Sequence, residues 1–142
     1  DLFLAGSAGE RFAVRNSGAN AVVEGVGDHA CEYMTGGTVA ILGPVGYNVG
    51  AGMTGGTLFV WDPTHDLPAR LNSQLVEADR PDASQLEELR WLVERHMELT
   101  ESVRAEALLS NWAEAAAVFW VVTPKGRSRQ LESSTARVGA AT

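Results

Sequence analysis

The sequence predicts a mainly β protein: a right-handed β-helix, built as a single-stranded solenoid and capped by C-terminal helices. Two copies of Met-Thr-Gly-Gly-Thr, at 34–38 and 53–57, recur with an offset of nineteen residues. An apolar, partly β-branched run follows each copy, at 39–42 and 58–61. A repeat at a fixed short period is typical of a chain that stacks similar units.

The same offset extends backwards in a less regular form and indicates three successive units. Short strands separated by glycine turns fit this pattern. The weaker alignments pair 16–19 with 35–38, 21–23 with 40–42, and Gly27 with Gly46.

Two architectures compete for such a repeat. In a meander of hairpins the strand direction alternates, so residues one period apart do not stack. In a β-helix they stack about 4.8 Å apart, which explains why Thr35 repeats as Thr54 and Met34 as Met53. We therefore favour the β-helix, with its glycines at corners where the backbone needs positive φ or a close approach.

A cap is predicted after Trp61, because a solenoid end exposes unpaired strand edges. Asp62 and Pro63 end the strand pattern, and Pro68 and Pro81 favour loops between them. Within that segment, 70–77 is expected to add one short strand.

Helical periodicity begins near Asp82, with one apolar face and one charged face. Asp82 or Ser84 is the expected N-cap. A break at 100–102 precedes a second helix, capped by Ser102 and continuing to about Trp112. The apolar face comprises Leu86, Leu89, Val93 and Met97, and the charged face Glu87, Glu88, Arg90, Glu94 and Glu98.

The last predicted strand, 118–122, is aromatic and β-branched and ends at Pro124. The resulting organisation is 1–80 as β-helix coils, 81–124 as a helical cap with a short strand, and 125–142 as a flexible tail. The coils are expected to be the C-terminal part of a longer solenoid.

Composition limits the classes of function. The 142-residue chain has a formal net charge of −7, which disfavours nucleic acid as a partner. Its single cysteine, Cys31, forms no internal disulfide, and no apolar run is long enough to span a bilayer. We expect a cytoplasmic protein with no membrane partner.

The segment 28–32 is the richest in potential chemistry, with Asp28, His29, Cys31 and Glu32. In a strand, His29 and Cys31 would share one face, which leaves a zinc site short of ligands and a Cys-His pair without an orienting group. We favour a packing role over a catalytic or metal-binding one.

Other candidates also have simpler explanations. The glycines at 25–27 and 50–52 suggest dinucleotide binding, but no helix opens after them, so we interpret them as corner glycines. Trp91 and Trp112 are interpreted as helix-packing residues, and His96 as a surface or packing residue. His65 lies in a loop with Asp62 and Asp66. We predict no catalytic, cofactor-binding or metal-binding residue in this chain.

Long strings at 9–19 and 23–37 resemble the C-terminal domain of the large (α) subunit of glutamate synthase. The strings 43–46 and 50–56 are similar to the next coil of that family, and 86–96 with 107–112 resembles its closing helices. The resemblance runs from about residue 2 to Pro124; the tail after Lys125 departs from it.

The resemblance implies a structural domain of an enzyme that converts glutamine and 2-oxoglutarate to two glutamates, with NADPH or ferredoxin as reductant. Ammonia would pass from an amidotransferase domain to an FMN-containing synthase domain beside an iron–sulfur cluster. Those two domains are the expected partners, and a small reductase subunit is a further one. The β-helix would hold the catalytic domains in position, and none of the family's functional residues maps onto this chain.

Two other hypotheses remain open from the sequence. One is a free-standing glycine-repeat assembly subunit of a related complex, such as N-methylglutamate synthase. The other is an independent enzyme that uses His29 and Cys31.

Overall fold

A computed structural model describes residues 1–72, 74 and 76–125. The described part alternates β-strands and turns up to Trp61 and is mainly helical after Asp82. The strands are β1 Leu2–Leu4, β2 Ser17–Val23, β3 Gly36–Ile41, β4 Thr57–Trp61, β5 Val76–Asp79 and β6 Phe119–Pro124. The helices are α1 Leu67–Arg70, α2 Ala83–Thr100, α3 Val103–Ser110 and α4 Trp112–Ala117.

The six strands form one sheet with the order β1-β2-β3-β4-β6-β5. The first four strands are consecutive in the chain and pair in parallel, so each of the first three is followed by a return segment that leads to the start of the next. Hairpins would make these pairs antiparallel. The β-helix prediction is therefore confirmed and the meander is excluded. Right-handed winding, expected of parallel crossovers, stays a prediction.

The two faces of the sheet carry separate apolar ladders. Ala21, Val39 and Leu58 lie in register and contact the solenoid interior. On the opposite face Val22, Ala40 and Phe59 lie in register and pack beneath the helices. The period-2 alternation of a strand thus divides one sheet between two hydrophobic cores.

The offset of nineteen residues holds between β3 and β4, but it fails within β2. Ser17 pairs with Gly36, whereas Ala21 pairs with Val39, so the predicted alignment of Ala21 with residue 40 is wrong. The physical cause is an irregularity between Ser17 and Asn20, where β2 contains one extra residue. The Asn16 side chain stabilises it, because Oδ1 accepts from the Ala19 N–H at 3.0 Å and Nδ2 donates to the Ala19 carbonyl at 2.9 Å.

In the wall opposite the sheet, every second residue has a left-handed backbone conformation, which sequence reasoning missed. Each of three coils contains three such residues at alternate positions. Backbone hydrogen bonds of about 2.8 Å join successive coils, such as Arg11 N–H to the Asp28 carbonyl. The left-handed residues are Arg11, Ala13 and Arg15, then His29, Cys31 and Tyr33, then Asn48, Gly50 and Gly52.

The C-terminal part of the chain completes the sheet. β6 pairs antiparallel with β4, and β5 with β6, so the last coil has no free strand edge on the β4 side. The strand predicted at 70–77 is displaced to Val76–Asp79, with an isolated bridge from Val49 to Leu71 before it.

The loop predicted around Pro68 is wrong, because Pro68 lies in the first turn of α1. Proline is tolerated there, where its missing N–H would have no helical partner. The Asp62 carboxylate accepts from the N–H groups of Asp66 and Leu67 at 3.0 Å and so stabilises the helix start.

The helix boundaries follow from their caps. Asp82 forms a capping box with Gln85, which confirms Asp82 as the N-cap of α2. Glu101 ends α2 in a left-handed conformation, and Ser102 caps α3 as predicted. The second helix ends at Ser110 rather than continuing to Trp112, because Asn111 departs from helical geometry before α4 begins.

Trp112 packs against Phe119 with 6.1 Å between ring centroids, which confirms a packing role. Trp91 is 49% exposed on the outer side of α2, so the packing role predicted for it is wrong. The tail predicted at 125–142 lies outside the described residues from 126 onwards. The boundary between coils and cap at residue 80 stays a prediction.

The first glycine of each repeat allows two coils to approach. A Cβ on Gly36 would lie 2.6 Å from the Ser17 carbonyl oxygen, and one on Gly55 would collide with the Thr35 carbonyl. We expect Gly55→Ala to lower the free energy of unfolding by about 2 to 4 kcal/mol, because backbone must move to admit the methyl group. Urea denaturation measures this. Gly18→Ala is the control, since its Cβ would meet nothing within 4 Å, and equal effects at the two sites would contradict close packing of the coils.

Gly52 combines a φ of +69° with close contact to the Tyr33 ring. Gly52→Ala should therefore carry two separable costs: left-handed strain of about 1 to 2 kcal/mol and a steric clash. Adding Tyr33→Ala should remove only the clash. A double-mutant cycle by chemical denaturation measures the coupling, and additive effects would show that the ring does not limit this position.

Candidate functional site

The segment 28–33 is not a strand, so the predicted shared face of His29 and Cys31 is wrong. His29, Cys31 and Tyr33 have φ of 63°, 58° and 58°, and the segment forms one level of the left-handed wall. Cys31 is fully buried in the solenoid interior, whereas the His29 side chain is 37% exposed. The structure therefore places the two side chains in different surroundings, the Cys31 thiol inside the solenoid and the His29 imidazole partly in solvent.

The surroundings of Cys31 also oppose reactivity. Burial raises the pKa of its thiol from 9.0 to about 12, because the thiolate would lose its hydration. The thiolate is the nucleophilic form of cysteine. At neutral pH, Cys31 is a small apolar packing residue.

The two acidic residues of this segment differ in their contacts: Asp28 accepts a hydrogen bond, whereas Oε2 of Glu32 is buried with no hydrogen-bond partner among the described residues. Asp28 Oδ1 accepts from the Tyr47 N–H of the next coil at 2.7 Å, which fixes the turn between them. Glu32 Oε2 lies 3.7 Å from His29 Nδ1, beyond hydrogen-bond distance. Over residues 1–72, 74 and 76–125, no three His, Cys, Asp or Glu side chains converge as a metal site would require.

The glycine repeats line an open polar groove of about 630 Å³. Its walls are the two Thr-Gly-Gly-Thr strings, with Glu88 and Lys125 beside them. Thr38 Oγ1 donates to Glu88 Oε1 at 2.9 Å. The groove arises because neither glycine pair has side chains. No helix begins after the repeats, so the groove lacks the phosphate-binding geometry of a dinucleotide loop.

A second cleft, of about 310 Å³, lies beside the end of β4. Asp62 lines it and is buried, but both of its oxygens already have partners. Besides the two N–H groups at the start of α1, Oδ2 accepts from Trp120 Nε1 at 3.0 Å. His65 lies in the exposed turn that follows, with a φ of 59°. Asp62 therefore stabilises the junction of β4, α1 and β6.

Sequence reasoning missed a largely buried polar arrangement of Glu24, His96 and Ser102, which we name the Glu24 cluster. His96 and Ser102 are buried, and the Glu24 side chain is 18% exposed. Glu24 Oε2 lies 2.9 Å from His96 Nε2 and accepts from Ser102 Oγ at 3.0 Å. His96 is completely buried, so its predicted packing role is confirmed. A serine hydrolase needs the imidazole between serine and carboxylate; here the carboxylate lies between them, so the serine is not activated.

The signal for this cluster was present in the sequence. Glu24 directly follows the apolar run 21–23, at a point where the next two coils carry Leu42 and Trp61. A charged residue at a buried ladder position calls for a partner. The partners, 72 and 78 residues further along the chain, are not readable from the local pattern.

Across the described ranges, no helix combines the length and apolarity that crossing a bilayer requires.

Comparison with known proteins identifies relatives of the whole chain. The chain is 47% identical over 135 residues to the ferredoxin-dependent glutamate synthase 2 of Synechocystis, and 51% identical over 132 residues to the NADPH glutamate synthase large chain of Azospirillum brasilense. It is 44% identical over 137 residues to the corresponding large chain of Bacillus subtilis. These matches cover 94%, 92% and 94% of this chain but only 9% of each relative.

The family model described as the GXGXG motif matches residues 1–125. That range includes the three coils, the helices and the closing strand β6. With its stacked glycine repeats and its sequence matched over this whole range, the chain belongs to the GXGXG family.

Proposed function

We propose that this chain is a structural scaffold domain of a glutamate synthase. It holds a glutaminase domain and an FMN-containing synthase domain at a fixed separation. The coupled reaction converts glutamine, 2-oxoglutarate and a reductant to two molecules of L-glutamate. This chain contributes geometry to that reaction, and the reacting groups lie elsewhere.

The observation that carries the proposal is the contrast between the two ends of the solenoid. At the β4 end, β6 and β5 continue the sheet. At the β1 end, Leu2 and Leu4 are 51% and 37% exposed, although their register partners Ala21 and Val23 are 5% and 0% exposed. An exposed rung of core residues beside an unpaired strand edge is suited to receive a further coil.

The similarity to known proteins supports the same proposal. Each relative is a large chain of which this sequence spans 9%. A fused domain therefore has more support than a free-standing assembly subunit. The names of the relatives include ferredoxin-dependent and NADPH enzymes, so the electron donor does not follow from this domain.

Rigidity is what such a scaffold requires. Ammonia that passes between two active sites escapes if their spacing changes, and a stack of backbone-bonded coils resists bending. In this proposal FMN and the iron–sulfur cluster belong to the partner domains, and the assembled enzyme works in the cytoplasm. The hypothesis of an independent enzyme loses support, because the Cys31 thiol is fully buried and has a raised pKa.

The first test uses the full reading frame that encodes this chain. We expect it to encode an amidotransferase domain and an FMN domain in the same polypeptide. In that enzyme, replacing both Leu2 and Leu4 by Glu should lower glutamine-dependent glutamate synthesis and release free ammonia, because charges would disrupt the exposed rung. The separate glutaminase and ammonia-dependent reactions should persist. Val103→Glu, at a site that is 79% exposed, is the matched control.

Equal loss of both separate reactions in the Leu2/Leu4 variant would contradict a scaffold role. A reading frame without either catalytic domain would instead favour a free-standing subunit.

A second prediction separates the scaffold from an enzyme that uses Cys31. Cys31→Ala should leave the turnover of the full enzyme unchanged, because the thiol is buried and protonated. Iodoacetamide should label Cys31 only after unfolding. Because the folded chain keeps this thiol protonated up to its raised pKa, its titration should not change the free energy of unfolding below pH 9. The free energy of unfolding should fall between pH 9 and about 12, as the thiol ionises in the unfolded chain. Loss of turnover in a folded Cys31→Ala enzyme would contradict the scaffold.

A further inference from the structure

The helical layer, α2 to α4, contacts the sheet mainly through apolar side chains. Val22, Ala40 and Phe59 on the sheet pack against Leu89 and Val93 of α2, among others. Apolar burial stabilises such an interface without fixing direction, and similar side chains can pack in more than one arrangement. A single position for the layer needs contacts that depend on geometry.

The Glu24 cluster supplies directional contacts through two buried donors, His96 and Ser102. Glu24 lies in register with Leu42, one residue beyond the paired Val23 and Ile41, so a carboxylate occupies a position of the outer apolar ladder. One oxygen, Oε2, receives both His96 Nε2 and Ser102 Oγ, at 2.9 and 3.0 Å. A shift of the layer by one helical turn, about 5.4 Å, would break both hydrogen bonds.

The cluster also connects two helices. Ser102 Oγ accepts from the Ala105 N–H at 3.0 Å, so the residue that donates to Glu24 is also the N-cap of α3. His96 lies in the last turns of α2. A single carboxylate thus places the end of one helix and the start of the next against the end of β2.

His96 has one side-chain hydrogen bond. Its Nδ1 is buried and has no hydrogen-bond partner among the described residues. The proton therefore belongs on Nε2, where the ring donates to the carboxylate. In two other polar links between the layer and the sheet, the residue of the helical layer is less buried than His96 or Ser102. Glu88, which accepts from Thr38, is exposed, and Arg104, which donates to the Leu42 carbonyl, is partly exposed.

We infer that the Glu24 cluster is a conformational device that selects one position of the helical layer on the sheet. Its main effect is on the uniqueness of the fold, and its net effect on stability is smaller. Buried polar groups fix register in this way in some helical assemblies, while apolar replacements of similar size retain stability.

The experiment compares variants of the 142-residue chain by thermal melting and by two-dimensional amide NMR of α2 and α3. Glu24→Gln should keep one set of resonances, because its amide oxygen can accept both hydrogen bonds. Glu24→Met should lower the melting midpoint by roughly 5 °C or more, because two buried donors lose their acceptor. Glu24→Met with His96→Leu should regain much of that loss, yet show multiple or broadened resonances in both helices.

Thr38→Val with Glu88→Met is the matched control. It removes a part-buried link between the same layers, in which Glu88 itself is exposed, and it should keep one set of resonances. The His96 ring lies near that of Phe3, with 6.2 Å between ring centroids. One sharp set in the Glu24→Met/His96→Leu variant, with this contact between residue 96 and Phe3 retained, would overturn the inference. If that variant does not fold, Ser102→Gly decides, because glycine is tolerated at an N-cap while the donor to Glu24 is removed. Additional resonances in α3 alone support the inference, and a single set overturns it. None of these outcomes depends on the proposed scaffold function.

Discussion

The structure depends on the distance between successive coils, which backbone hydrogen bonding holds near 4.8 Å. At that spacing a side chain cannot lie between two coils where one backbone lies directly over the other. Cβ atoms at Gly43 and Gly55 would collide with carbonyl oxygens of Glu24 and Thr35, one coil away. The repeated glycines are therefore a consequence of coil stacking. The absence of side chains also leaves the polar groove along the repeats, so a groove here does not by itself indicate a ligand.

The same constraint explains where the repeat is irregular. A coil can gain a residue only where the neighbouring coils leave room for it. In β2 the Asn16 side chain hydrogen-bonds to Ala19, within the segment that contains the extra residue. The opposite wall keeps the same spacing with residues that alternate into the left-handed backbone conformation. That conformation costs free energy for most residues other than glycine. The third coil places glycine at two of its three left-handed positions, Gly50 and Gly52. Arg15 and Tyr33 hold the positions equivalent to Gly52 in the earlier coils, where hydrogen bonds between the coils maintain the strained backbone.

Local patterns predicted the solenoid, the caps at Asp82 and Ser102 and the final strand, because each depends on residues close together in sequence. The change of offset to eighteen at Ala21 was not predictable, since apolar residues occur at both offsets. The left-handed wall was missed because the residue types at its positions, such as Arg11 and His29, do not indicate a positive φ. Helix α1 was missed because its start is stabilised from outside the helix, by Asp62. For the candidate site, sequence identified Cys31 as a packing residue but could not pair Glu24 with His96.

Three acidic residues of the solenoid, Glu24, Asp28 and Asp62, have the same kind of structural role. Each lies near a strand end or a turn, and each carboxylate accepts hydrogen bonds from the chain itself. Both oxygens of Asp62 have partners, so this carboxylate positions its donors and has little capacity left to act on a substrate. An acid intended for proton transfer needs an accessible oxygen and a reacting partner within reach. Glu24, Asp28 and Asp62 thus each serve as an acceptor that positions a neighbouring part of the fold.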